Sequence, residues 1–498
     1  EDSMSPASSS SALFVSGVEN PDAVQPGQQL VLTGLVAELG ESQETITSLT
    51  DVTVLQICAE EVPLPLTRAR LPLTPAEKEA LEGMRVAFEQ ELTVSDVYNL
   101  HRRELTLSSN GVLRVPTEIS DPGTAAVALA EENRNHSIVA QLPESGGALP
   151  VGSTMAPASG LMGHNGRGRR FHIESLPEFS LPPDPPLAPP AEGTVRVVNS
   201  KLLNFFNGDG AGGGFPTERG AASLDEFDAQ SARIREAMAR IQPDLLAVQE
   251  LENDGFGPDS SAASLLAILN ATIHDDWAVV TPRASRIGGD VITVGLFYRQ
   301  QVLETVGAAR ILEGPEFQGL SRQPLAQLFR DRRSGAPFLV AVNHLKSKGR
   351  CPESGGNSDQ QDGQGCWNAA RLSAVAAQLP WLEQLAGEMH TANLLILGDM
   401  NAWRKEDPIR RFREPGFIDL VERLSGLPQH SFLYWGQTGT LDYAFASPAM
   451  ARLAKHAEIW HINADYPRKM KQPRPWLRTS DHDPVIVDFD FSQSATSD

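Results

Sequence analysis

The sequence predicts a mixed α/β protein built from a smaller β-rich part and a larger part in which strands and helices alternate. Three observations support this prediction. Residues 12–180 show short strand patterns with little helical periodicity. Residues 182–190 contain six prolines in nine positions, a run that neither a helix interior nor a sheet tolerates. Beyond that run, buried-strand patterns alternate with amphipathic helical patterns, as they do in α/β proteins.

The β-rich part is predicted over residues 12–180, after a Ser-rich segment, residues 1–11, whose composition is typical of disorder. One short helix fits Thr74–Leu81, because Pro75 takes a first-turn position and acidic residues follow it. Strands broken by turns, with almost no helix, favour a small barrel or sandwich. The predicted strands are Gln28–Glu38, Asp51–Cys58, Met84–Val97 and Glu104–Ser108.

The Pro-rich residues 181–192 are predicted to be a semi-rigid linker, since polyproline II extends about 3.1 Å per residue. An α/β domain is predicted over residues 193–492, followed by a tail, residues 493–498. Its predicted strands are Thr194–Leu203, Asp244–Leu251, Val291–Arg299, Phe338–Leu345, Leu394–Asp399, Leu441–Ala446 and Val485–Phe491. Its predicted helices are Ser223–Ile241, which begins with a Ser223–Glu226 capping box, Ser261–Ile273 and Trp367–Glu388.

The charge balance argues against an open polyanion-binding surface, with two local exceptions. The chain has 63 acidic and 42 basic residues, a formal net charge of −21, and such a field repels nucleic acid at long range. Basic residues concentrate in residues 166–172 and 466–478, and the second segment contains no acid. Each segment fits either a polyanion contact or a solvated loop. No stretch approaches the ~18 uncharged apolar residues of a membrane span.

The three cysteines predict one disulfide. Cys351 and Cys366 bracket a polar loop, and closing a loop of ~15 residues stabilises a protein by about 3 kcal/mol. A disulfide implies an oxidising compartment, so we expect a secreted or extracellular protein, with the periplasm and the cell surface as alternatives. Two free thiols near a loop are the alternative. Cys58 lies in an apolar run and is predicted to be a buried thiol.

Polar side chains repeatedly follow the apolar strands of the second part. Glu250, His344, Asp399 and Asp442 each stand at such a position. One aspartate there is usually a cap or a turn former, and one histidine is usually a satisfied core residue. Together, however, they supply hard oxygen ligands suited to Mg²⁺, Mn²⁺ or Ca²⁺. His344 and His482 add groups that transfer protons near neutral pH.

Five short motifs occur in the order found in the endonuclease/exonuclease/phosphatase superfamily, which the chain therefore resembles. They are Gln249-Glu250, Asn343 to Gly349, Gly398 to Asn401, Gly439 to Tyr443 and Ser480 to Pro484. That superfamily includes pancreatic-type deoxyribonuclease and the abasic-site endonucleases.

The chain is most similar to the bacterial extracellular nucleases of that superfamily. The likeness covers residues 194–491 and adds Asn204-Phe205-Phe206, Gly214 to Ala221, Asp362 to Gly365 and Trp460 to Asp465. The earlier part resembles their OB-fold-like domain, through Pro63 to Leu66, Glu82-Gly83-Met84 and Leu92-Thr93-Val94.

The resemblance implies a two-layer α/β sandwich, of the deoxyribonuclease I type, preceded by a smaller all-β OB-fold-like domain. It implies an extracellular metal-dependent nuclease that hydrolyses phosphodiester bonds, with DNA as the first candidate substrate. The principal metal ligand by resemblance is Glu250, helped by Asp481. The metal implied is Mg²⁺ or Mn²⁺, with Ca²⁺ as a further candidate.

The resemblance also implies roles in proton transfer and phosphate binding. His482, oriented by Asp442, activates the attacking water, while His344 protonates the leaving oxygen and is oriented by Asp290. Asp399 and Asn401 hold the phosphate, the nucleophile or a second metal. The residues expected to bind substrate are Lys201, Asn204, Lys346, Lys348 and Arg371.

Lys201 departs from the family pattern, which has Asn at this position. An ammonium repels a metal but pairs with a carboxylate or a phosphate. Three interpretations stay open: weaker metal binding with activity retained, partial replacement of the metal's charge, or an impaired enzyme. Two alternative functions follow: a phosphoesterase of the same superfamily acting on a phospholipid or inositol phosphate, and a catalytically impaired protein that binds nucleic acid.

Overall fold

The computed structural model describes residues 10–18, 24–40, 45–165, 168–426 and 428–492. Most of the segment predicted to be disordered, and the predicted tail, lie outside these ranges. The described chain begins with a three-stranded sheet in the order β1-β3-β2, formed by β1 (Phe14–Val15), β2 (Gln29–Leu39) and β3 (Ile46–Ala59). The prediction of a buried Cys58 is wrong: Cys58 is exposed on β3, in a sheet whose strand β2 has no buried side chain.

A nine-stranded sheet follows, with the order β13-β10-β6-β7-β9-β12-β11-β5-β4. The strands of this region are β4 (Thr67–Ala69), β5 (Arg85–Phe88), β6 (Leu92–Asp96), β7 (Glu104–Ser108), β8 (Leu113–Arg114), β9 (Ser137–Gln141), β10 (Thr154–Met155), β11 (Ala158–His164), β12 (Arg169–Ile173) and β13 (Phe179–Ser180). Its helices are α1 (Pro75–Glu79), α2 (Pro116–Ile119) and α3 (Thr124–Asn135). Strand β8 pairs elsewhere, with a strand of the α/β part.

The β-rich part differs from its prediction in three ways. The segment predicted as one strand from Met84 to Val97 is two strands, β5 and β6, separated at residues 89–91. Helix α3 was not expected, because its sequence has a weak amphipathic pattern with only Ala126 and Asn133 buried. The region also holds two separate sheets where one OB-fold-like unit was expected, and the OB-fold-like identity is not confirmed.

The α/β part contains two six-stranded sheets, in the orders β16-β17-β15-β14-β27-β26 and β18-β19-β20-β21-β25-β22. Its strands are β14 (Val195–Phe205), β15 (Leu245–Glu252), β16 (Trp277–Val279), β17 (Ile292–Arg299), β18 (Leu303–Ile311), β19 (Leu325–Asp331), β20 (Pro337–His344), β21 (Leu394–Asp399), β22 (Ile418–Asp419), β23 (Phe432–Tyr434), β24 (Gln437–Gly439), β25 (Asp442–Ala446), β26 (Ala454–Ile459) and β27 (Val485–Phe489). Its helices are α4 (Leu224–Ile241), α5 (Ser261–Thr272), α6 (Asn368–Glu388), α7 (Asp407–Arg413), α8 (Leu420–Leu424) and α9 (Pro448–Leu453).

The two sheets pack face to face because their strands alternate between two apolar faces. On β14, Val195 and Val197 enter the core between the sheets, while Val198 packs on the outer face with α4 and α5. On the second sheet, Val340 and Val342 face the same inner core, and Leu339 and Ala341 pack outward against α6. Strands buried on both faces require this pattern. The predicted α/β fold is confirmed.

Buried contacts join the β-rich part to the sandwich. Strand β8 pairs in parallel with β24, and Leu113 lies opposite Gln437. The Nε of Arg404 donates to Oε1 of Glu118, on α2, at 3.0 Å, and both side chains are buried. A buried ion pair that loses one partner costs about 3–5 kcal/mol. These contacts make α2 and β8 part of the sandwich's packing.

The Pro-rich segment lies against the sandwich. The carbonyl of Pro185 accepts from Nε1 of Trp460 at 3.2 Å, and the carbonyl of Ala188 accepts from Arg196 at 3.0 Å. Leu187 packs against the outer apolar cluster. Among the helices of the described ranges, none combines the length and the hydropathy that crossing a membrane requires.

Candidate active site

Three site residues stand side by side because of the register of the second sheet. His344 on β20 lies opposite Asp399 on the parallel strand β21, and Asp399 lies opposite Asp442 on β25. Each residue continues the inward-facing alternation of its strand, which is apolar deeper in the core. The row of polar residues therefore begins where the apolar filling of the sandwich stops.

The first sheet contributes Lys201 and Glu250 to the same space. Lys201 follows the inward-facing Val195, Val197 and Asn199 at two-residue intervals on β14. Glu250 interrupts β15 at a bulge, where its φ of +59° lies in the left-handed region. Such a bulge turns a side chain away from its regular direction. The amide of Asn204, which also has positive φ, donates to Oε2 of Glu250 at 3.1 Å.

His482 and Asp442 form a hydrogen-bonded pair. The Nδ1–H of His482 donates to Oδ2 of Asp442 at 2.7 Å, and both side chains are buried. The hydroxyl of Ser431 donates to the same oxygen at 2.7 Å. These bonds fix the ring and leave Nε2 facing the site. Burial and the nearby Lys201 lower the pKa of His482, but Asp442, Asp399 and Asp481 outweigh them and raise it to about 9.

The loop carrying His482 is held by residues outside the predicted set. The Nδ2 of Asn463 donates to the carbonyl of His482 at 2.6 Å, and the amide of Asn463 donates to Oδ1 of Asp483 at 2.6 Å. The ring of Phe432 lies 4.4 Å from that of His482, centroid to centroid. Ser431 and Phe432 carry no recognisable local motif. Asn463 lies within the motif Trp460 to Asp465, so the family pattern was the only signal for it.

Lys201 occupies the centre of the predicted metal site. Its Nζ lies 3.0 Å from Oδ2 of Asp399, 3.3 Å from Oε1 of Glu250 and 3.1 Å from Nε2 of His482. Burial lowers the pKa of Lys201, but the carboxylates of Asp399, Glu250 and Asp481 raise it well above its ordinary value.

The ammonium therefore stays charged and takes the place where a shared cation would bind these carboxylates. The atoms of Asp399, Asp442 and His482 do lie within 4.8 Å of one another. They are, however, already engaged with Lys201 and with each other. A divalent ion does not fit between Glu250 and Asp399 while Lys201 is there.

Asp481 was predicted as a metal ligand and Asn401 as a catalytic residue, and both lie at this site. Burial raises the pKa of Asp481, but Lys201, His482 and Arg478 together lower it to about 2. The amide of Asn401 donates to Oδ1 of Asp399 at 2.9 Å, and its side chain donates to the carbonyl of Leu345 at 3.0 Å. Asn401 thus holds Asp399 in place and is itself buried.

The predicted pair of Asp290 and His344 is not formed. Asp290 instead faces two cations: its Oδ2 lies 3.1 Å from Arg322 and its Oδ1 lies 3.7 Å from Arg219. Among the described residues, Nδ1 of His344 has no hydrogen-bond partner, while its Nε2 lies 3.5 Å from Oδ2 of Asp399. Burial, followed by Arg322 and Lys201, lowers the pKa of His344 well below its ordinary value. His344 is therefore neutral at pH 7.

Two of the predicted substrate-binding residues have structural roles. The ammonium of Lys348 pairs with Oε2 of the buried Glu406 at 2.6 Å, so it is not available to a phosphate. Arg371 is fully buried and donates to the carbonyls of Lys346 and Cys366 at 3.2 and 2.9 Å. Both residues stabilise the loop that the Cys351–Cys366 disulfide closes, and the predicted disulfide is confirmed.

The other predicted substrate-binding residues lie nearer the surface. Lys346 is half-buried, and its Nζ lies 4.8 Å from the ring centroid of Trp367. Burial, together with Arg322, Arg371 and Arg350, lowers the pKa of Lys346 to about 8. Asn204 lines a surface cavity of about 610 Å³.

This cavity is strongly basic, and we call it the cationic groove. Seven Lys and Arg residues and one acid line it: Arg219, Arg233, Arg468, Lys469, Lys471, Arg474, Arg478 and Glu226. Five of the basic residues come from the segment 466–478 that the sequence marked as an exception to the acidic balance. Arg474 pairs with Asp184 at 3.0 Å. Two residues of the groove also interact with the site. The amide of Asn204 donates to Glu250, and the charge of Arg478 helps to lower the pKa of Asp481.

The comparisons with known proteins match the same region. Residues 204–482, more than half of the chain, match the model of the Endonuclease/Exonuclease/phosphatase family. Human Nocturnin is 22% identical over 330 residues, which cover 62% of this chain and 68% of Nocturnin.

Two solved structures are also similar. The human Nocturnin catalytic domain with bound sulfate anion is 19% identical, with a TM-score of 0.39 over 60% of this chain and 95% of that chain. The mannosyl-6-phosphatase of Bacteroides thetaiotaomicron VPI-5482 is 17% identical, with a TM-score of 0.41 over 59% and 98%.

Proposed function

Because the chain belongs to the Endonuclease/Exonuclease/phosphatase family, whose members are phosphoesterase hydrolases, we propose that it is a secreted nuclease. It hydrolyses phosphodiester bonds, with DNA as the first candidate substrate. The observation that carries the proposal is the buried His482–Asp442 pair, at 2.7 Å, next to a cationic groove. The Cys351–Cys366 disulfide supports an extracellular location, because disulfides persist in oxidising compartments.

The proposed reaction begins at His482. Its Nδ1 is bonded to Asp442, so the proton of the attacking water goes to Nε2, the atom that Lys201 contacts at 3.1 Å. A positioned base of this kind contributes about 10²–10⁴-fold to the rate. Asp442 stabilises the imidazolium that forms, as a carboxylate does in a hydrolytic triad.

Lys201 and His344 act on the phosphate side of the site. The Lys201 ammonium offsets the charge of Glu250 and Asp399, which would otherwise repel a phosphodiester. A neutral His344 has an N–H to donate to a phosphate or leaving oxygen, but it is not an imidazolium acid at pH 7.

Family enzymes generally use a divalent metal, so a divalent metal is part of the proposal. The candidates are Mg²⁺ or Mn²⁺, with Ca²⁺ as a further one. The ion would have to bind outside the position of Lys201, because the ammonium lies 3.0–3.3 Å from the carboxylates there. No step of the reaction is assigned to it.

The test is a cleavage assay with the full chain and plasmid DNA, linear DNA, RNA and phospholipid. Each substrate is incubated with Mg²⁺, Mn²⁺ or Ca²⁺ and with EDTA. His482→Ala is expected to lower DNA cleavage by about 10²–10⁴-fold, because the base is lost. The matched control is His274→Ala, which removes an exposed histidine outside the site and is expected to retain full activity.

The assay separates the candidate functions. Intact DNA under every condition, together with hydrolysis of phospholipid, would overturn the nuclease proposal in favour of another phosphoesterase. Intact substrates throughout would favour a catalytically impaired nucleic-acid-binding protein. Equal loss of activity in His482→Ala and His274→Ala would mean that the assay reports stability and not catalysis.

A further inference from the structure

A second cavity, beside His482, is walled by exposed aromatic side chains. It measures about 380 Å³, within the range of ligand sites, and lies between the turn after β6 and the β23–β24 hairpin. Four aromatic side chains of the described residues are at least 46% exposed, and three of them line this cavity: Tyr98, Tyr434 and Trp435. Exposed apolar side chains collected in one place indicate a binding surface. We call this cavity the aromatic cleft.

The two walls of the aromatic cleft are held together by one carboxylate. Oδ1 of Asp96 accepts from the amide of Tyr98 at 2.7 Å, and the same side chain accepts from the amide of Gly436. Asp96 thus joins the Tyr98 turn of the β-rich part to the hairpin tip of the sandwich. The spacing between Tyr98 and Trp435 is fixed by this contact.

The hairpin tip holds Trp435 in a conformation that a large side chain rarely adopts. Trp435 and Gly436 connect β23 to β24 in two residues, with φ of +49° and +75°. Positive φ at both positions is a type I′ turn, which favours Asn, Asp or Gly at the first position. A tryptophan there is strained, and its side chain is 79% exposed. A strained, exposed aromatic residue suggests that the side chain serves a ligand.

The aromatic cleft is continuous with both the catalytic site and the cationic groove. Phe432 and Asp481 line it, and the ring of Phe432 lies 4.4 Å from that of His482. Arg468 and Arg478 line both the aromatic cleft and the cationic groove. A ligand with a flat apolar group attached to an anionic backbone would occupy both cavities.

We infer that the aromatic cleft binds an unpaired nucleobase of the substrate, so that this enzyme acts on single-stranded nucleic acid or on frayed ends. The inference rests on the proposed nuclease function and specifies its substrate. Nucleobases stack on aromatic rings, each contributing about 1–3 kcal/mol, while basic grooves follow the phosphates. In a duplex, neighbouring bases cover both faces of each base. A paired base therefore has no free face to stack on the aromatic side chains of the cleft.

The test measures binding without cleavage, with the full chain carrying His482→Ala. The probes are a labelled oligothymidylate of about 12 nucleotides, an abasic oligonucleotide of equal length and a hairpin duplex. Fluorescence anisotropy is expected to show oligothymidylate bound about 5- to 150-fold more tightly than the abasic strand, the range for stacking of one base. Trp435→Ala is expected to lower the affinity for oligothymidylate to the abasic level and to leave the abasic affinity unchanged.

Three further variants make the assay specific. Tyr98→Ala probes the opposite wall and is expected to weaken oligothymidylate binding, while Trp435→Phe keeps a stacking ring and is expected to retain it. Phe14→Ala removes an exposed aromatic side chain that does not line the cleft, and no change is expected.

The outcomes distinguish this inference from the proposed function. Equal affinity for oligothymidylate and the abasic strand, or duplex bound as tightly as oligothymidylate, overturns the inference even if the wild-type chain cleaves DNA. Base-dependent binding that requires Trp435 supports it even if no cleavage is found.

Discussion

Three carboxylates act on His482, although one is enough to orient its ring. Asp442 bonds to Nδ1, and Asp399 and Asp481 lie close enough to favour the imidazolium further. Against these, burial and Lys201 favour the neutral ring, and the balance places the pKa of His482 at about 9. The carboxylates thus favour the imidazolium form of His482, while the Lys201 ammonium, 3.1 Å from Nε2, opposes it.

The pH dependence of the reaction follows from this pKa. Only the neutral imidazole accepts a proton, so kcat/KM is expected to rise about tenfold per pH unit below about 9 and to level off above it. A pH–rate profile on an oligonucleotide tests this. Asp442→Asn removes one of the charges that raise the pKa of His482. In this variant kcat/KM is expected to level off at a lower pH than in the wild type. A wild-type profile that is flat from pH 6 to pH 9 would contradict the role of His482 as base.

Lys201 makes a prediction about metal binding that does not depend on activity. Lys201→Asn removes the ammonium between Glu250 and Asp399, so the variant is expected to gain affinity for Mn²⁺. An ion at a hundred times its Kd stabilises a folded protein by about 2.7 kcal/mol, which thermal unfolding detects. Without metal, the variant is expected to be less stable, because its buried carboxylates lose their partner.

The control for Lys201 is Lys455→Asn, at a partly exposed lysine near Asp490. Its Tm is expected to be the same with and without Mn²⁺. A wild-type Tm that rises with Mn²⁺ as much as that of Lys201→Asn would show that the ammonium does not displace the ion.

At the scale of strands and helices, most of the sandwich could be predicted. The observed bounds of β15, β20, β21 and α4 differ from the predicted ones by one residue at most. Their long apolar runs, bounded by polar residues, leave little ambiguity. Five strands of the two sheets were not predicted: β16, β18, β19, β22 and β26. The sequence of β26, with Lys455 and His456, lacks a continuous apolar run.

The site was predictable as a set of residues and not as a geometry. His344 and Asp399 lie at the ends of predicted strands and Asp442 lies at the start of one, and their juxtaposition follows from strand register. The bulges at Glu250 and Asn204 have no sequence signal, since positive φ at Glu is unusual. The burial of Lys348 and Arg371 depends on long-range partners such as Glu406, and local pattern does not reveal it.

The disulfide loop makes a stability prediction. The double variant Cys351→Ser with Cys366→Ser is expected to lose about 3 kcal/mol of unfolding free energy, since the loop closes 15 residues. Urea unfolding measures the loss. Cys58→Ser, at an exposed thiol, is the matched control and is expected to leave stability unchanged within about 0.5 kcal/mol. Unchanged stability of the double variant would show that other contacts alone hold the loop.

At the scale of the whole molecule, a net charge of −21 coexists with a groove of seven basic residues and one acid. Strand binding should therefore be local and sensitive to salt. Neutralising roughly four to seven phosphates of a single strand gives a slope of log K against log salt of about −3 to −5. Titration of the His482→Ala protein with oligothymidylate at several salt concentrations measures it. Lys471→Ala is expected to reduce the slope by about 0.7, and a salt-independent Kd would exclude the groove as the phosphate contact.

The junction of the two parts depends on Arg404. Its guanidinium is buried and bonds to Glu118 at 3.0 Å and to Asp419 at 2.6 Å. Arg404→Met leaves Glu118 without an ion-pair partner and Asp419 with only Arg413, at 3.8 Å, so a loss of about 3–5 kcal/mol in chemical unfolding is expected. Arg411→Met, at a side chain 40% exposed, is expected to change stability by less than about 0.5 kcal/mol. Similar losses in both variants would contradict a special role for this junction.

The site also unites positions that are far apart in sequence: Lys201 and His482 are 281 residues apart. Strand β14 leaves the ribosome long before the loop that carries His482. A growing chain therefore contains Lys201 and the carboxylates of the site but not the His482–Asp442 pair. The proposed activity therefore cannot arise until the loop with His482 has been synthesised and has docked against Asp442.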